Sequence, residues 1–242
     1  MSTQPENRDA GAWARPVDRL TADGGHINVT GRRPTAPMNG FGRMWQKTYR
    51  TSLGAATVTP VEVIAAWKAH FPEFWPSGNR FFAPLAGIAP GEVAALDLSM
   101  PGGLKLSTGV LVLFADEESF TLMTPEGHMF AGWITFSSYV ADGETCAQAL
   151  VLMRASDPLY ELGMSLGGHR KEDAHWMHTL SELARHFGVE AQVTMQAVCV
   201  DRKRQWSRAG NVWHNAGIRS GLHMASAPLR VLGRLRRTNA GA

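Results

Sequence analysis

The residues best equipped for chemistry are histidines: His169, His175, His178 and His186 crowd one stretch of the chain, and His128 stands apart from them. Residues three apart share a helix face, so His175 and His178 could begin a metal site with Asp173 or His128 as third ligand. Exposed helical histidines need no such explanation, and the sequence predicts neither a metal nor a cofactor. Acid–base work suits these residues better, because an imidazole titrates close to neutral pH. His128 and His175 are the candidates for it. Nucleophilic chemistry has less support. Ser99, Ser107, Ser137 and Ser138 lack a GxSxG elbow, and Cys146 and Cys199 lie far apart with no CxxC or Cys/His spacing. The run GMSLGG over Gly163 to Gly168 has neither the spacing nor the preceding strand of a phosphate-binding loop.

Positioning any of these groups needs a core, and 242 residues with 44% hydrophobic and 19% charged side chains can bury one. Charge is unevenly spread. From Arg202 to Ala242 there are nine Arg and Lys residues and no acid, so the overall +3 leaves a balance of −6 for the rest. A basic tail of this kind suits an anionic partner, or the acidic body of its own protein. The polar start predicts no secretory signal, and no apolar run is long enough to span a bilayer. Both point to a cytoplasmic protein, with peripheral membrane contact open to the tail.

Residues 1–44, rich in Gly, Pro, Asn and Arg without periodicity, are expected to be a flexible leader outside the fold. Thr48 to Val58 alternates as a first strand. Thr59-Pro60-Val61-Glu62 combines an N-cap, a proline at the first helical position and a glutamate three residues beyond the cap, which predicts a short helix ending near Phe71 before Pro72. An aromatic, proline-broken loop through Phe74, Trp75, Phe81 and Phe82 follows. Strands are expected over Val93 to Met100, Leu106 to Phe114, Phe120 to Thr124, His128 to Ala141 and Glu144 to Arg154, joined by tight turns that keep neighbours antiparallel. Asp157 before Pro158 caps a helix whose apolar positions run through Leu159, Leu162, Leu166, Trp176, Leu180, Leu183, Ala184 and Phe187 to Gly188, broken near Gly167-Gly168. Val189 to Val200 alternates as one extra strand.

This order of strand, capped helix, antiparallel strands and long late helix, with Gly168-His169-Arg170-Lys171-Glu172-Asp173-Ala174-His175-Trp176 opening that helix, resembles the START/Bet v1-like superfamily over roughly Trp45 to Gly188. The resemblance implies an α+β helix-grip fold, a curved antiparallel sheet wrapped around the long helix, with a cavity between them for a lipid, polyketide or other hydrophobic guest. It also implies that some members are enzymes, so a polyketide cyclase or hydratase using His128 or His175 is the alternative reading. The extension after Gly188 departs from the superfamily pattern.

The expected domains are thus a leader (1–44), a helix-grip domain (45–200) and a basic tail (201–242). Bulky apolar residues of the sheet and helix, Phe114, Met123, Trp133, Phe136, Tyr160, Met164 and Met177, are candidates to line the cavity, with core packing as their ordinary role. His128, Tyr139 and Gln148 are polar candidates to orient a guest. In the tail, Arg202, Lys203, Arg204, Arg208, Arg230, Arg234, Arg236 and Arg237 could meet an anionic surface, the last four on a short amphipathic helix over Pro228 to Arg237. Trp206 and Trp213 interleave with these charges. That composition is compatible with stacking on nucleic acid, the less favoured partner, or on the domain itself.

Overall fold

The structure, a computed structural model, describes residues 10–22, 26–54, 56–100, 103 and 105–226. Strand β1 (Met44–Ser52) leads into helix α1 (Pro60–His70), whose start is the expected capping box: Thr59 accepts from the Glu62 amide and the Glu62 carboxylate accepts from the Thr59 amide. The face of α1 bearing Val63, Ile64 and Trp67 is fully buried. Strands β2 (Arg80–Phe82), β3 (Val93–Ser99), β4 (Lys105–Ala115), β5 (Ser119–Met123), β6 (Phe130–Ala141) and β7 (Glu144–Ala155) follow. The β6–β7 hairpin turns at Asp142 and Gly143, both with positive φ (51° and 82°), which suits a two-residue turn that follows strand twist. β2 lies inside the segment expected to be a loop. Three residues carry no readable alternation, and only pairing of Arg80 with Asp97 and Phe82 with Ala95 makes them a strand.

Asp157 caps helix α2 (Pro158–Gly163) by accepting from the Leu159 and Tyr160 amides. A wide turn over Met164–Gly168 then leads into the long helix α3 (His169–His186), with Gly167 at φ 114° supplying the break expected there. Strand β8 (Thr194–Asp201) and helix α4 (Ala216–Ala225) complete the described chain. All strands join one antiparallel sheet in the order β2-β3-β4-β5-β6-β7-β1-β8. The sheet is curved, and its inner face packs with α1 and with Leu180, Leu183 and Ala184 of α3 in one core. This is the expected helix-grip arrangement, with β8 added beyond β1.

The two ends of the chain differ from expectation. The leader is expected to lie outside the fold, yet Leu20, Ala22 and Val29 pack with Leu111 in a second cluster on the outer face of the sheet. Backbone bonds bind it to the sheet from Ala14 to Leu113, Thr35 to Thr124, and Phe41 and Gly42 to Ala155. Scattered apolar residues in a Gly- and Pro-rich segment show no period, but a sheet with an apolar outer face gives them a place to be buried. The described part of the tail, residues 201–226, also folds back. Asn215 caps α4 and donates to Asp157, and Asn28 donates to Ser220 and to the backbone of Ser107 and Ala216. Arg154, fully buried at the end of β7, donates to the carbonyls of Gly42 and Lys203 and pairs with Asp201, joining leader, sheet and tail.

Candidate functional site

The space between sheet and α3 is filled at one end and hollow at the other. Around α1, Trp67, Phe71, Phe120 and Phe136 interlock, with Phe136 stacked on Phe120 at 4.7 Å between ring centroids. Beyond them lies a cavity of about 530 Å³. Its walls are inward residues of successive strands, among them Leu96, Val110, Leu122, Ile134, Val151 and Met153. Trp75 and Phe81 close one side, and Tyr160, Met164, Gly167, Glu172, His175 and Trp176 form the roof. The chain turns at Gly167, within this roof, before α3 begins. Glu172 and Trp176, four apart, then share the inward face of α3.

The wall carries polar groups among its apolar ones, including Asn79, Ser99, His128, Lys171, Glu172 and His175. Lys47 of β1 reaches Glu172 at 2.7 Å and Asp173 at 2.6 Å, and Tyr49 donates to Asp173. One ammonium faces two carboxylates. Burial therefore dominates at Glu172 and pushes its carboxyl up to about 7 against the pull of Lys47, leaving Oε1 buried without a partner. The Tyr49 phenol is driven far upward by burial first and by the neighbouring Glu172 charge second. His175, packed on Trp75 and Trp176, is lowered to about 4 by burial and then by His178. His128 precedes β6 and is also lowered to about 4 by burial. Its Nδ1 accepts from the Phe130 amide at 3.0 Å, so the lone pair that a general base would use is occupied.

The structure brings together only part of the candidate set. His128, His175, Trp133, Tyr160 and Met164 line the cavity. The other six lie elsewhere. Phe114 sits on the outer face against Trp13 of the leader, at 4.8 Å between rings. Phe136 belongs to the filled aromatic end. Met123 and Tyr139 are one residue out of phase with inward Leu122 and Ser138, and a strand sends successive side chains to opposite faces. Gln148 accepts from Arg50 on the exposed side, and Met177 is one step round α3 from Trp176, toward solvent. Glu172, Lys47, Trp75 and Trp176 were not among the site candidates. The spacing of Glu172 and Trp176 on one helix face was a usable signal for that pair; nothing local marks Lys47, which is buried by an ion pair from a distant helix.

Among the described residues, no group of three or more His, Cys, Asp or Glu could hold a metal ion, and no helix is long and apolar enough to cross a membrane. Of the basic candidates, Arg204 pairs with Glu161 at 3.0 Å and Arg208 donates to Asn39, while Arg202 and Lys203 are exposed. Arg230, Arg234, Arg236, Arg237 and the amphipathic helix expected around them lie outside the described residues. Trp206 meets Phe41 edge-on, yet it and Trp213 remain 73% and 83% exposed.

No family model and no curated protein matches the chain. Solved structures do. A START superfamily protein from Mycobacterium smegmatis is similar over 60% of this chain and 99% of its own, at 18% identity and a TM-score of 0.38. Ara h 8.0201 is similar over 60% and 97%, at 13% identity and 0.43. The di-domain ARO/CYC StfQ of the steffimycin biosynthetic pathway is similar over 60% and 50%, at 14% identity and 0.46. With TM-scores below 0.5, none of these matches carries an argument about this chain. The helix-grip assignment itself rests on the strand order and on the seat of α3 described above.

Proposed function

We propose that the protein binds a hydrophobic small molecule or lipid in the cavity beneath α3. The observation that carries this reading is an apolar-walled space of about 530 Å³ in a fold that packs solid at its other end. Close-packed interiors retain few voids larger than a water molecule, whereas ligand sites run from about 300 to 1,000 Å³ with a small number of polar groups in apolar walls. An acid–base role for His128 or His175 has less support, since burial lowers both rings to about 4, making each a weak base, and Nδ1 of His128 already accepts from the Phe130 amide.

Val151 is an inward wall residue of β7. Val151→Phe places a ring in the hollow, so binding of an apolar fluorophore such as 1-aminoanthracene should fall at least tenfold while the unfolding midpoint holds or rises. Native mass spectrometry after mild purification should show a co-purifying small molecule in the original protein and less of it in the variant. The reading fails if neither 1-aminoanthracene nor any co-purified molecule is retained.

A further inference from the structure

We propose that the Nε2–H of His128 is the polar anchor of the cavity and that it selects guests carrying a carbonyl oxygen, such as a ketone, quinone or ester. This rests on reading the cavity as a ligand site. The Phe130 amide donates to Nδ1, which places the proton of the neutral ring on Nε2. That nitrogen has no hydrogen-bond partner among the described residues. His128 is only 5% exposed and belongs to the cavity wall, so its Nε2–H is available to a guest. Nε2 is not one of the side-chain atoms that are both fully buried and unpartnered, so it is reachable by a guest, and a guest acceptor there gains a hydrogen bond.

The ring is fixed in place from several directions. Turning it over would strand the Phe130 amide. The His128 amide donates to the Pro125 carbonyl, and the Ser156 hydroxyl donates to the carbonyl of His128. The leader holds the same turn through Glu126 to the Arg33 carbonyl at 2.8 Å, and the tail holds it through Ala216 to the Gly127 carbonyl at 2.9 Å. The described parts of the leader and of the tail thus brace the turn that carries this cavity-wall residue. Burial keeps the ring uncharged, with its pKa lowered to about 4. A neutral donor satisfies a carbonyl oxygen but returns too little to a carboxylate stripped of its water.

The test compares 2-acetylnaphthalene with 2-ethylnaphthalene, which share a shape and differ in the carbonyl. In His128→Phe, affinity for the ketone should drop about fivefold to tenfold while 2-ethylnaphthalene is unchanged or tighter, as loss of one hydrogen bond requires. His128→Asn can still accept from Phe130 and donate, and should keep part of the preference. Infrared spectroscopy of the bound ketone in the original protein should show its carbonyl stretch at lower frequency than in cyclohexane, a readout that needs no variant. Equal losses for both probes, or a stretch at the cyclohexane position, overturns the proposal while leaving the cavity as a ligand site. If neither naphthalene binds while 1-aminoanthracene does, the anchor falls and the ligand site stands; if 1-aminoanthracene and co-purified molecules are also not retained, both fall together.

Discussion

Burial of His128 has a consequence for stability that follows from its sign. Its pKa is about 4 in the folded protein against an ordinary value of 6.5, so between those values the unfolded chain holds more protons than the folded one. Stability is therefore complete above pH 6.5 and falls as pH drops through 4, by roughly 3 kcal/mol if the whole shift is realised. Urea unfolding of His128→Gln against the original protein at pH 7 and pH 4.5 should show a smaller acid loss in the variant; equal losses would contradict the burial argument. His175 adds a loss in the same direction and window. Lys47 is the reverse case, a charge kept buried because two carboxylates surround it. Lys47→Met removes the counter-charge of both acids, leaving Asp173 only its bond from Tyr49, and should cost roughly 3–5 kcal/mol by urea unfolding, whereas Lys47→Met combined with Glu172→Leu should cost less than the single change. A double variant worse than the single one would show that the pair is not acting through charge.

At the scale of elements, the turn between β5 and β6 is where sheet, leader and tail meet. Gly127 has φ 89° there, and a Cβ at this position would run into the His214 carbonyl. Gly127→Ala is thus strained twice, by its backbone and by the docked tail. Hydrogen exchange should rise in Ala216–Ala225, with little change in α1 on the far side of the core. Uniform protection in both proteins would mean that α4 does not depend on this turn. Elements whose reasons are local were readable in the chain: Thr59 and Glu62 announce α1, Asp157 announces α2, and Asp142-Gly143 announces the longest hairpin. β2 was not readable, because its three residues become a strand only through a partner beyond its own segment.

At the scale of the whole molecule, Arg154 holds the ends together. It is fully buried and reaches Gly42, Lys203 and Asp201. Arg154→Met removes three bonds and leaves carbonyls unmatched, so it should destabilise by several kcal/mol and open the 201–226 segment to limited proteolysis before the sheet is cut. Cleavage of the sheet first, or no added cleavage in the tail, would contradict the role given to this residue. The same coupling explains why the candidate site was only partly legible. Trp133, Tyr160, Met164 and the two histidines were marked by residue type, but choosing among apolar residues needs the phase of each strand relative to α3, which separates Leu122 from Met123 and Trp176 from Met177.

By itself the amino-acid order determined the succession of strands and helices, the break before α3, the expected helix grip and the concentration of positive charge after Asp201. Those properties follow from neighbours within a few residues: caps, turn formers and apolar period. Only the tertiary structure decided that the described leader and tail cover and brace the sheet, that Lys47 is buried against Glu172, and that a cavity of about 530 Å³ stays open under α3. Each of those depends on groups far apart in the chain meeting in space, and the volume left between them is a property of packing that no single segment carries.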